Sequence, residues 1–428
     1  MTRSVSSPVA AILVPVGQPL GVVVEDDGST YLRVRTGPEI HRLDESSASM
    51  WNALHRTRPG TDRGIDRGLL AAVRPAAVTD PDREVDLLLD LGLVVEVAVS
   101  APEVRQAFGD SYRLLPLQEI LGNSDGEQHA HSLVAGGTHR TLAIDTPLRD
   151  VLIYAPREDD LYGTCYVRSG ALAADEEWSR LSDPDAYLEH VLQHVHPLLE
   201  RHAAYFDLAL EPSPPRVHTA KAGDPGAELG APEAIEDDSE DECLFAVGYP
   251  SGARYMWLGL ESVNIRVGDD ELELATDQAW LVWLAAHGKV DGLTVDDSEQ
   301  TICAMARDAG VPAPIFEVDD QQLRGMVVRS GIGPELFQFA ATHRLEPLLC
   351  GLGNSADEPD RYVLGIDPEN PLVDLSAEQY AVWRDAHLSA SLLDAARAAE
   401  DTIDLRQYLR VVQHLSVRHA AYIDQVRR

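Results

Sequence analysis

The sequence predicts an α+β protein made of two homologous lobes, and two observations lead to this prediction. The first is a twelve-residue segment that occurs at residues 113–124 and again, without a gap, at residues 344–355. The two copies share the pattern RLxPLxxxLGNS. A long fixed period of this kind is the signature of a duplicated architecture. The second observation is the alternation of short β-prone runs with capped helical patterns.

The N-terminal part of the chain shows this alternation first. Residues 20–44 contain β-prone runs separated by turn signals, and Asp44 then has the position of an N-cap for a helix that carries Trp51. Two more helical patterns follow at residues 64–73 and 82–91, and a strand-like run closes the unit. This order of hairpin, three helices and strand is compatible with a winged helix-turn-helix unit.

The same order returns in the second half. Residues 271–276 match residues 39–44 at nearly the offset of the twelve-residue segment, and Trp283 then takes the place of Trp51. A tryptophan at helical spacing is more often a core residue than a ligand site. A strand followed by a capping residue and a helix with Trp or Tyr occurs four times, near residues 39–51, 141–154, 271–283 and 371–383. We therefore predict two winged-helix-like units in each lobe.

Composition divides the chain into two lobes and a linker. We predict a first lobe at residues 1–212, with units of about 1–108 and 109–212, and a second lobe at residues 243–428, with units of about 243–338 and 339–428. Between them, residues 213–242 are rich in Pro and Gly and end in a run of acids. Such a segment cannot bury a core, so we predict a flexible linker, and a solvated spacer is favoured over a docking segment for a basic partner.

Each lobe ends in a long apolar stripe at helical spacing. The stripe at 188–206 corresponds without a gap to the stripe at 405–423, at a smaller offset than that of the twelve-residue segment. The pattern predicts one amphipathic helix per lobe, with His202 and His419 as hydrogen-bonded core residues. The smaller offset means that the first lobe carries about fourteen extra residues between 155 and 185, which we interpret as a surface loop.

Composition and charge limit the classes of function. The chain has 71 acidic and 35 basic residues and a formal net charge of −36, and only Lys221 and Lys289 are lysines. This charge makes nucleic-acid binding an unfavoured function, because such a surface needs Lys and Arg to replace counterions, and a local basic patch is the remaining route to it. The Ala-rich, Lys-poor composition indicates a GC-rich coding sequence, for which an actinobacterial source is favoured over a salt-adapted archaeon.

Cysteine usage and hydropathy predict a cytoplasmic protein. Cys165, Cys243, Cys303 and Cys350 lie far apart in sequence and form no CxxC pair, as expected in a reducing compartment. The apolar run at residues 8–16 lacks a signal cleavage site and leads into β-prone sequence, so a first strand is favoured over a signal peptide. No apolar run reaches the ~20 residues of a membrane span.

No group of residues in the sequence has the pattern of a catalytic or cofactor site. His190 and His194 lie one helical turn apart with His196 nearby, an arrangement that can chelate a metal. Pro197 follows directly and the second lobe has no histidines at these positions, so solvent-facing histidines are favoured and no catalytic, cofactor or metal residue is predicted. The Gly-Asn of each LGNS lacks phosphate-loop spacing and is interpreted as a turn that needs a positive φ.

The arrangement of hairpin, Asp44, helix and Trp51 that runs through Val97 resembles the small PqqD-like winged-helix domains that hold precursor peptides for modifying enzymes. The resemblance covers about eighty residues of the first lobe and rests on this pattern. It implies capture of a peptide by strand addition to the edge of the hairpin.

Three hypotheses for function follow. The first is a non-enzymatic cytosolic binding or adaptor protein whose duplicated lobes engage a protein or peptide partner, since duplication suits bivalent binding. The second is a transcriptional regulator, or an acidic DNA mimic, of helix-turn-helix type. The third is a metal-dependent enzyme that uses the region of His190 and His194. The repeated segment itself is interpreted as a structural joint, in which Arg113 and Arg344 are either buried or available to a partner.

Overall fold

Short helices and small sheets make up the described part of the chain, which confirms the α+β class. A computed structural model describes residues 11–25, 27–58, 60–123, 130–134, 141–210, 243–256, 259–291, 294–296, 298–331, 333–399 and 404–427. The predicted linker at 213–242 lies outside these residues, so the linker and the lobe boundaries beside it stay predictions.

In the first half of the chain the strands are β1 (Ile12–Pro15), β2 (Gln18–Val24), β3 (Thr30–Thr36), β4 (Glu39–Leu43), β5 (Val94–Val97), β6 (Tyr112–Pro116), β7 (Ile120–Asn123), β8 (Ala130–Val134), β9 (Thr141–Asp145) and β10 (Ala204–Leu208). The helices are α1 (Glu45–Leu54), α2 (Leu70–Val73), α3 (Pro81–Asp90), α4 (Pro102–Ser111), α5 (Thr146–Tyr154), α6 (Leu161–Leu172), α7 (Pro184–His194) and α8 (His196–Glu200).

In the second half the strands are β11 (Cys243–Ala246), β12 (Tyr249–Met256), β13 (Gly259–Val267), β14 (Asp270–Leu274), β15 (Lys289–Asp291), β16 (Thr294–Asp296), β17 (Val327–Ser330), β18 (His343–Pro347), β19 (Cys350–Gly353), β20 (Arg361–Gly365), β21 (Pro371–Ser376) and β22 (Ala421–Gln425). The helices are α9 (Asp277–Ala285), α10 (Glu299–Asp308), α11 (Pro314–Leu323), α12 (Pro334–Thr342), α13 (Ala377–Asp385), α14 (Leu392–Ala398) and α15 (Leu405–Val417). The order from β2 to β5 returns from β12 to β17, with the hairpin of β15 and β16 added.

Two six-stranded sheets contain strands from both halves of the chain. One has the order β4-β3-β2-β19-β20-β21 and the other has the order β14-β13-β12-β7-β8-β9. Within each group of three strands the pairing is antiparallel, while the central pairs β2–β19 and β7–β12 are parallel. The two halves are therefore joined through the middle of both sheets, and neither half supplies a complete one.

The main hydrophobic core is shared in the same way. One cluster of buried side chains includes Leu20 and Leu114 from the first half together with Trp283 and Trp383 from the second. A smaller cluster surrounds Trp51 between α1 and α3. Burial contributes about 25 cal/mol for each Å² of apolar surface, so a core that continues across both halves couples the folding of one to the folding of the other.

The tryptophans at equivalent positions are core residues, as predicted. Trp51 and Trp283 are almost completely buried. The indole Nε1 of Trp51 donates to the Val16 carbonyl oxygen at 3.3 Å, and that of Trp283 donates to the Val247 carbonyl oxygen at the same distance. A buried indole N–H needs such an acceptor. Each tryptophan thus ties its helix to the chain segment that precedes the hairpin of its unit.

Helix starts follow the predicted caps. Asp44 Oδ1 accepts a hydrogen bond from Ser47 N at 2.9 Å at the start of α1. Ser376 and Gln379 form the capping box that their spacing predicts, with Gln379 N donating to Ser376 Oγ at 3.2 Å and Ser376 N donating to Gln379 Oε1 at 3.0 Å. An N-cap of this kind stabilises a helix by ~1 kcal/mol. These starts therefore depend on local sequence.

The extra residues of the first half follow α6, because α6 has a counterpart in the second half, α14, which begins at the equivalent position. Leu161, Cys165 and Leu172 of α6 are buried, and the helix packs against α4 and α7 as α14 packs against α12 and α15. The surplus is the longer end of α6 and residues 173–183, which are mostly exposed, as a surface loop requires, apart from the buried Trp178 and Leu181.

The apolar stripes at 188–206 and 405–423 do not form single helices. In the second half α15 ends at Val417 and β22 begins four residues later, and in the first half β10 begins shortly after α8. The break falls at His202 and His419, whose φ angles are 49° and 53°. A residue in this left-handed region ends a helix. The prediction of helical core histidines is therefore wrong, because both lie in the turn between a helix and a strand.

The glycines of the two LGNS sequences lie in strands and not in the predicted turns. Gly122 and Gly353 have the expected positive φ, at 104° and 98°. A Cβ atom on Gly122 would lie 1.7 Å from the Ala253 carbonyl oxygen, and one on Gly353 would lie 1.7 Å from the Val22 carbonyl oxygen. Glycine is needed here because parallel strands from opposite halves approach too closely for a side chain.

Candidate functional site

The two copies of the repeated segment meet inside the molecule. Leu349 N donates to the Leu117 carbonyl oxygen at 2.8 Å, which joins one copy directly to the other. Arg113 is buried, and its Nη2 lies 3.6 Å from Asp207 Oδ2. Arg344 is largely buried and donates to a backbone carbonyl oxygen of the first half. The segment lies where the halves join, and neither arginine presents its guanidinium at the surface.

Buried arginines and carboxylates form two equivalent charge centres beside this joint. The first charge centre consists of Arg35, Arg113 and Asp207, and the second consists of their counterparts in the repeat, Arg266, Arg344 and Asp424. In each centre the aspartate closes the same turn, since Oδ1 accepts from Gly37 N at 2.6 Å in the first and from Gly268 N at 2.9 Å in the second.

The second charge centre contains a fully buried ion pair. Arg266 Nη1 donates to Asp424 Oδ2 at 2.6 Å. Burial alone would raise the pKa of Asp424, but the positive charges of Arg266, Arg157 and Arg344 outweigh this and hold the pKa below its usual value. Groups that are inaccessible to solvent cannot contact a substrate at the surface, so the second charge centre has a structural role.

The histidines considered as metal ligands have partners within the fold. His190 is nearly buried, and its Nε2 lies 2.8 Å from Oδ2 of Asp145, the N-cap of α5. His194 bonds through Nδ1 to the His190 carbonyl oxygen at 2.8 Å. His196 is completely buried, with Nε2 3.4 Å from the Leu13 carbonyl oxygen. The prediction of solvent-facing histidines is therefore wrong for His190 and His196, because other elements of the first half cover them.

A cleft of about 350 Å³ opens beside His190 and His194. The two rings lie 4.3 Å apart between centroids. Within the described residues, no group of three or more His, Cys, Asp or Glu side chains has the arrangement of a metal site. The cleft thus offers His190, which is already bonded to Asp145, together with His194 and Glu189, and these three do not have the arrangement of a metal site.

Several buried histidines are held in the neutral form. Burial lowers the pKa of His55 to about 3 and the pKa values of His196 and His287 to about 4. Burial also lowers the pKa values of His343 and His387. An unfolded chain would bind protons at these side chains near pH 6.5. Between pH 6.5 and the lowered pKa values, these histidines bind protons in the unfolded chain but not in the folded one. This lowers the free energy of unfolding.

We expect the free energy of unfolding to be greatest above pH 6.5 and to decrease steeply as the pH falls toward 4. Each of these histidines then contributes a loss of about 1.4 kcal/mol for each pH unit, because the unfolded state binds the proton more tightly. Urea midpoints measured between pH 8 and pH 4.5 test this expectation. The variant His196→Gln, which cannot be protonated, should give a shallower profile, and an equally steep profile in both proteins would contradict the assignment.

The third helix of the first unit, α3, exposes acids beside leucines. On its outer side Leu87 is 44% exposed and the adjoining Leu91 is 36% exposed. Asp82, Asp86 and Asp90 follow one another at every fourth position and are also exposed, so they form a row along the helix next to the leucines. The opposite side of the helix is buried against the core beneath α1. The outer side therefore combines negative charge with accessible apolar surface.

The corresponding helix of the second half, α11, has the same chemistry with larger apolar side chains. Residues 84–86 and 317–319 both read Glu-Val-Asp, and this match relates α3 to α11 at nearly the offset of the repeated segment. Phe316 is 73% exposed and Leu323 is 89% exposed. Since they are separated by two helical turns, they lie on one side of the helix, with two exposed aspartates between them. We call the outer sides of α3 and α11 the acidic-apolar faces.

The charge of these faces is the reverse of what a nucleic acid requires. In a helix-turn-helix protein the helix at this position enters the major groove, and Lys and Arg side chains contact the phosphates. On α11 the exposed charges are Asp319 and Asp320, and the basic residue at its end, Arg324, donates to the Glu273 carbonyl oxygen at 2.6 Å. On α3 the acidic row outnumbers the one exposed arginine of the helix, Arg83, and of the row Asp86 pairs with Arg67 at 2.9 Å. Both faces would repel a phosphate backbone.

Comparisons with protein-family models, with curated proteins and with solved structures give no match to this chain. Among the described helices, none combines the length and the apolar character that crossing a membrane requires.

Proposed function

We propose that the protein is a non-enzymatic cytosolic adaptor that binds a partner protein or peptide through the acidic-apolar faces of α3 and α11. The observation that carries the proposal is the repetition of the same surface chemistry on two related helices. In this proposal both helices belong to winged-helix-like units of a duplicated chain, and each takes the position of the recognition helix. The partner is a segment with basic and apolar side chains on one side.

The exposure of Phe316 and Leu323 supports a partner that covers them. Large apolar side chains that are both highly exposed and on one side of a helix leave apolar surface in water, which burial against a partner would remove. The aspartates between them add attraction for Lys or Arg and disfavour acidic partners. The same two features on α3 make the chain suited to binding two segments at once, which increases overall affinity without new contacts.

The proposal predicts that an amphipathic peptide of Leu and Lys side chains, designed to form a helix, binds with a stoichiometry of two per chain. We expect the double variant Phe316→Ser/Leu323→Ser to remove one site and to weaken peptide binding there at least tenfold, since ~1.4 kcal/mol corresponds to tenfold and each buried side chain contributes more than this. Isothermal titration calorimetry measures both stoichiometry and affinity. The double variant Leu87→Ser/Leu91→Ser should remove the other site.

A matched control separates the faces from the general acidity of the chain. Leu372 on β21 is 55% exposed and lies outside both faces, so Leu372→Ser should leave binding unchanged. Equal weakening by the control variant would show that the peptide binds any exposed apolar side chain, and unchanged binding in the face variants would show that it binds by charge alone; either result would overturn the assignment. A duplex DNA titrated at low salt tests the transcriptional-regulator alternative, and DNA binding tighter than peptide binding would favour that alternative over the adaptor.

A further inference from the structure

The two charge centres occupy equivalent positions but differ in how well their polar atoms are paired. In the second charge centre Arg266 donates to Asp424 at 2.6 Å and to the Tyr422 hydroxyl at 3.3 Å. In the first, Asp207 Oδ2 lies 3.8 Å from Arg35 Nη2 and 3.6 Å from Arg113 Nη2. Both distances exceed a hydrogen bond. Asp207 of the first charge centre is therefore not hydrogen-bonded to either arginine, whereas Asp424 of the second is hydrogen-bonded to Arg266.

Several buried polar atoms of the first charge centre and its neighbours have no hydrogen-bond partner within the protein. They are Gln18 Nε2, Arg35 Nε and Nη1, Arg113 Nε, the Tyr205 hydroxyl, Asp207 Oδ2 and both ring nitrogens of His387. Every one of these residues is less than 4% exposed. In the second charge centre Arg266 Nε and Arg344 Nε also lack a partner, but Tyr422 and both carboxylate oxygens of Asp424 have partners. A buried polar group without a partner costs ~1–3 kcal/mol, so the concentration of such atoms points to an occupant.

Two strand pairs from different sheets bring these groups together, since Arg35 of β3 and Gly37 directly after β3 contact Asp207 of β10. Gln18 lies opposite Arg35 in the pairing of β2 with β3, and Asp207 lies opposite Arg113 in the pairing of β10 with β6. Tyr205 is two residues before Asp207 on the same strand and so points to the same side. The unpaired groups of four strands thus converge on one volume.

The chemistry of the unpaired atoms favours an anion over water or a cation. Amide, guanidinium and phenol groups donate, and Asp207 Oδ2 is the acceptor among them that carries charge. Arg35, Arg113 and the neighbouring Arg344 carry three positive charges against the two negative charges of Asp207 and the buried Glu346, which pairs with Arg344. Burial, together with the charges of Arg35, Arg113 and Arg344, keeps the pKa of His387 well below its usual value, so its ring is neutral. A buried excess of positive charge is costly unless an opposite charge compensates it.

We propose that the first charge centre binds one small inorganic anion, held by donors from Gln18, Arg35, Arg113 and Tyr205 and bordered by His387. Four of these residues belong to the first half and His387 belongs to the second, so the anion lies between the halves. Because the surrounding groups are almost inaccessible to solvent, the anion enters as the halves come together and leaves when they separate. The bound anion then stabilises the contact between the halves, because a ligand that binds only the folded state raises its stability.

Chloride is the probe for this site. The full chain is refolded from denaturant in sodium chloride and, at the same ionic strength, in sodium gluconate, whose anion is too large for an enclosed site. We expect the chloride-refolded protein, after desalting, to release one chloride per chain on denaturation, as measured by ion chromatography. We also expect its Tm to rise with chloride concentration and to exceed the Tm in gluconate.

Two conservative variants locate the effect. Tyr205→Phe removes one donor of the first charge centre and should raise the chloride concentration needed for the same Tm rise roughly tenfold, as expected for a hydrogen bond to a charged group. Tyr422→Phe, the equivalent change in the second charge centre, should leave the chloride dependence unchanged. Gln18→Met is a second variant of the first centre in case Tyr205→Phe does not fold. Equal Tm values in chloride and gluconate with no retained chloride would overturn the proposal, and so would a larger effect of Tyr422→Phe.

Discussion

Separately produced fragments of residues 1–212 and 243–428 are expected to be unfolded alone and to form one folded 1:1 complex when mixed. Each six-stranded sheet takes three strands from each half, and the parallel pairs β2–β19 and β7–β12 lie at the centre of the sheets. The first half alone would therefore expose the edges of β2 and β7, and the second half alone those of β12 and β19, along with a large part of the shared core. Far-ultraviolet circular dichroism and size-exclusion chromatography of each fragment and of the mixture measure this outcome.

The expected result depends on the exchange of strands and not on the linker. A mixture that recovers the Tm and elution volume of the full chain would show that the segment 213–242 is not needed for assembly. Fragments that each unfold cooperatively as monomers and do not associate would contradict the expectation, since independently folded lobes need no strands from one another. Asp424→Asn in the second fragment should weaken the association, because the Asp424 carboxylate lies 3.8 Å from Arg157 Nη1 of the first fragment and its loss leaves Arg266 without its buried counter-charge.

The substitution Gly353→Ala is expected to destabilise the protein by more than about 4 kcal/mol, the range of exceptional single substitutions. Its Cβ would lie 1.7 Å from the Val22 carbonyl oxygen, and a contact this close requires the parallel pair β2–β19 to separate. The positive φ of 98° adds strain of about 1–2 kcal/mol for any residue with a side chain. Urea unfolding of the variant and the parent measures the difference.

Gly310→Ala is the matched control for this prediction. Gly310 has a φ of 99°, almost the same as that of Gly353, but a Cβ there meets no atom within 4 Å. The control variant should therefore lose only the strain term. If both variants lost the same free energy of unfolding, the positive φ alone would explain why glycine is needed at Gly353. The close approach of β2 and β19 would then have no measurable effect.

The candidate binding faces were accessible to sequence reasoning only in part. The pattern at residues 82–91 predicted the helix that became α3, and the acids in it are visible in the sequence. The exposure of Phe316 and Leu323 was not visible, because an apolar residue in a helical pattern is normally assigned to the core. The match of residues 84–86 with 317–319 was a signal that could have connected the two helices.

For the histidines and arginines the sequence instead gives too little burial. The sequence favours solvent exposure for His190 and His196, because the second half has no histidines at these positions, and for Arg113 it leaves both burial and contact with a partner open. Burial of a polar side chain depends on whether distant residues supply a hydrogen-bond partner. For His190 that partner is Asp145, whereas Arg113 has the opposite charge of Asp207 at 3.6 Å, and both carboxylates are far away in sequence.

The sequence by itself determined the α+β class, the helix starts at Asp44 and Ser376, and the burial of Trp51 and Trp283. These features follow from periodicity and from contacts between near neighbours, which a sequence displays directly. Only the tertiary structure decided that each sheet takes strands from both halves, that the two repeated segments meet, and that two charge centres are buried beside them. The physical reason is that these features rest on backbone hydrogen bonds and ion pairs between residues far apart in the chain, such as Leu117 with Leu349. No local pattern encodes which distant strand will complete a sheet.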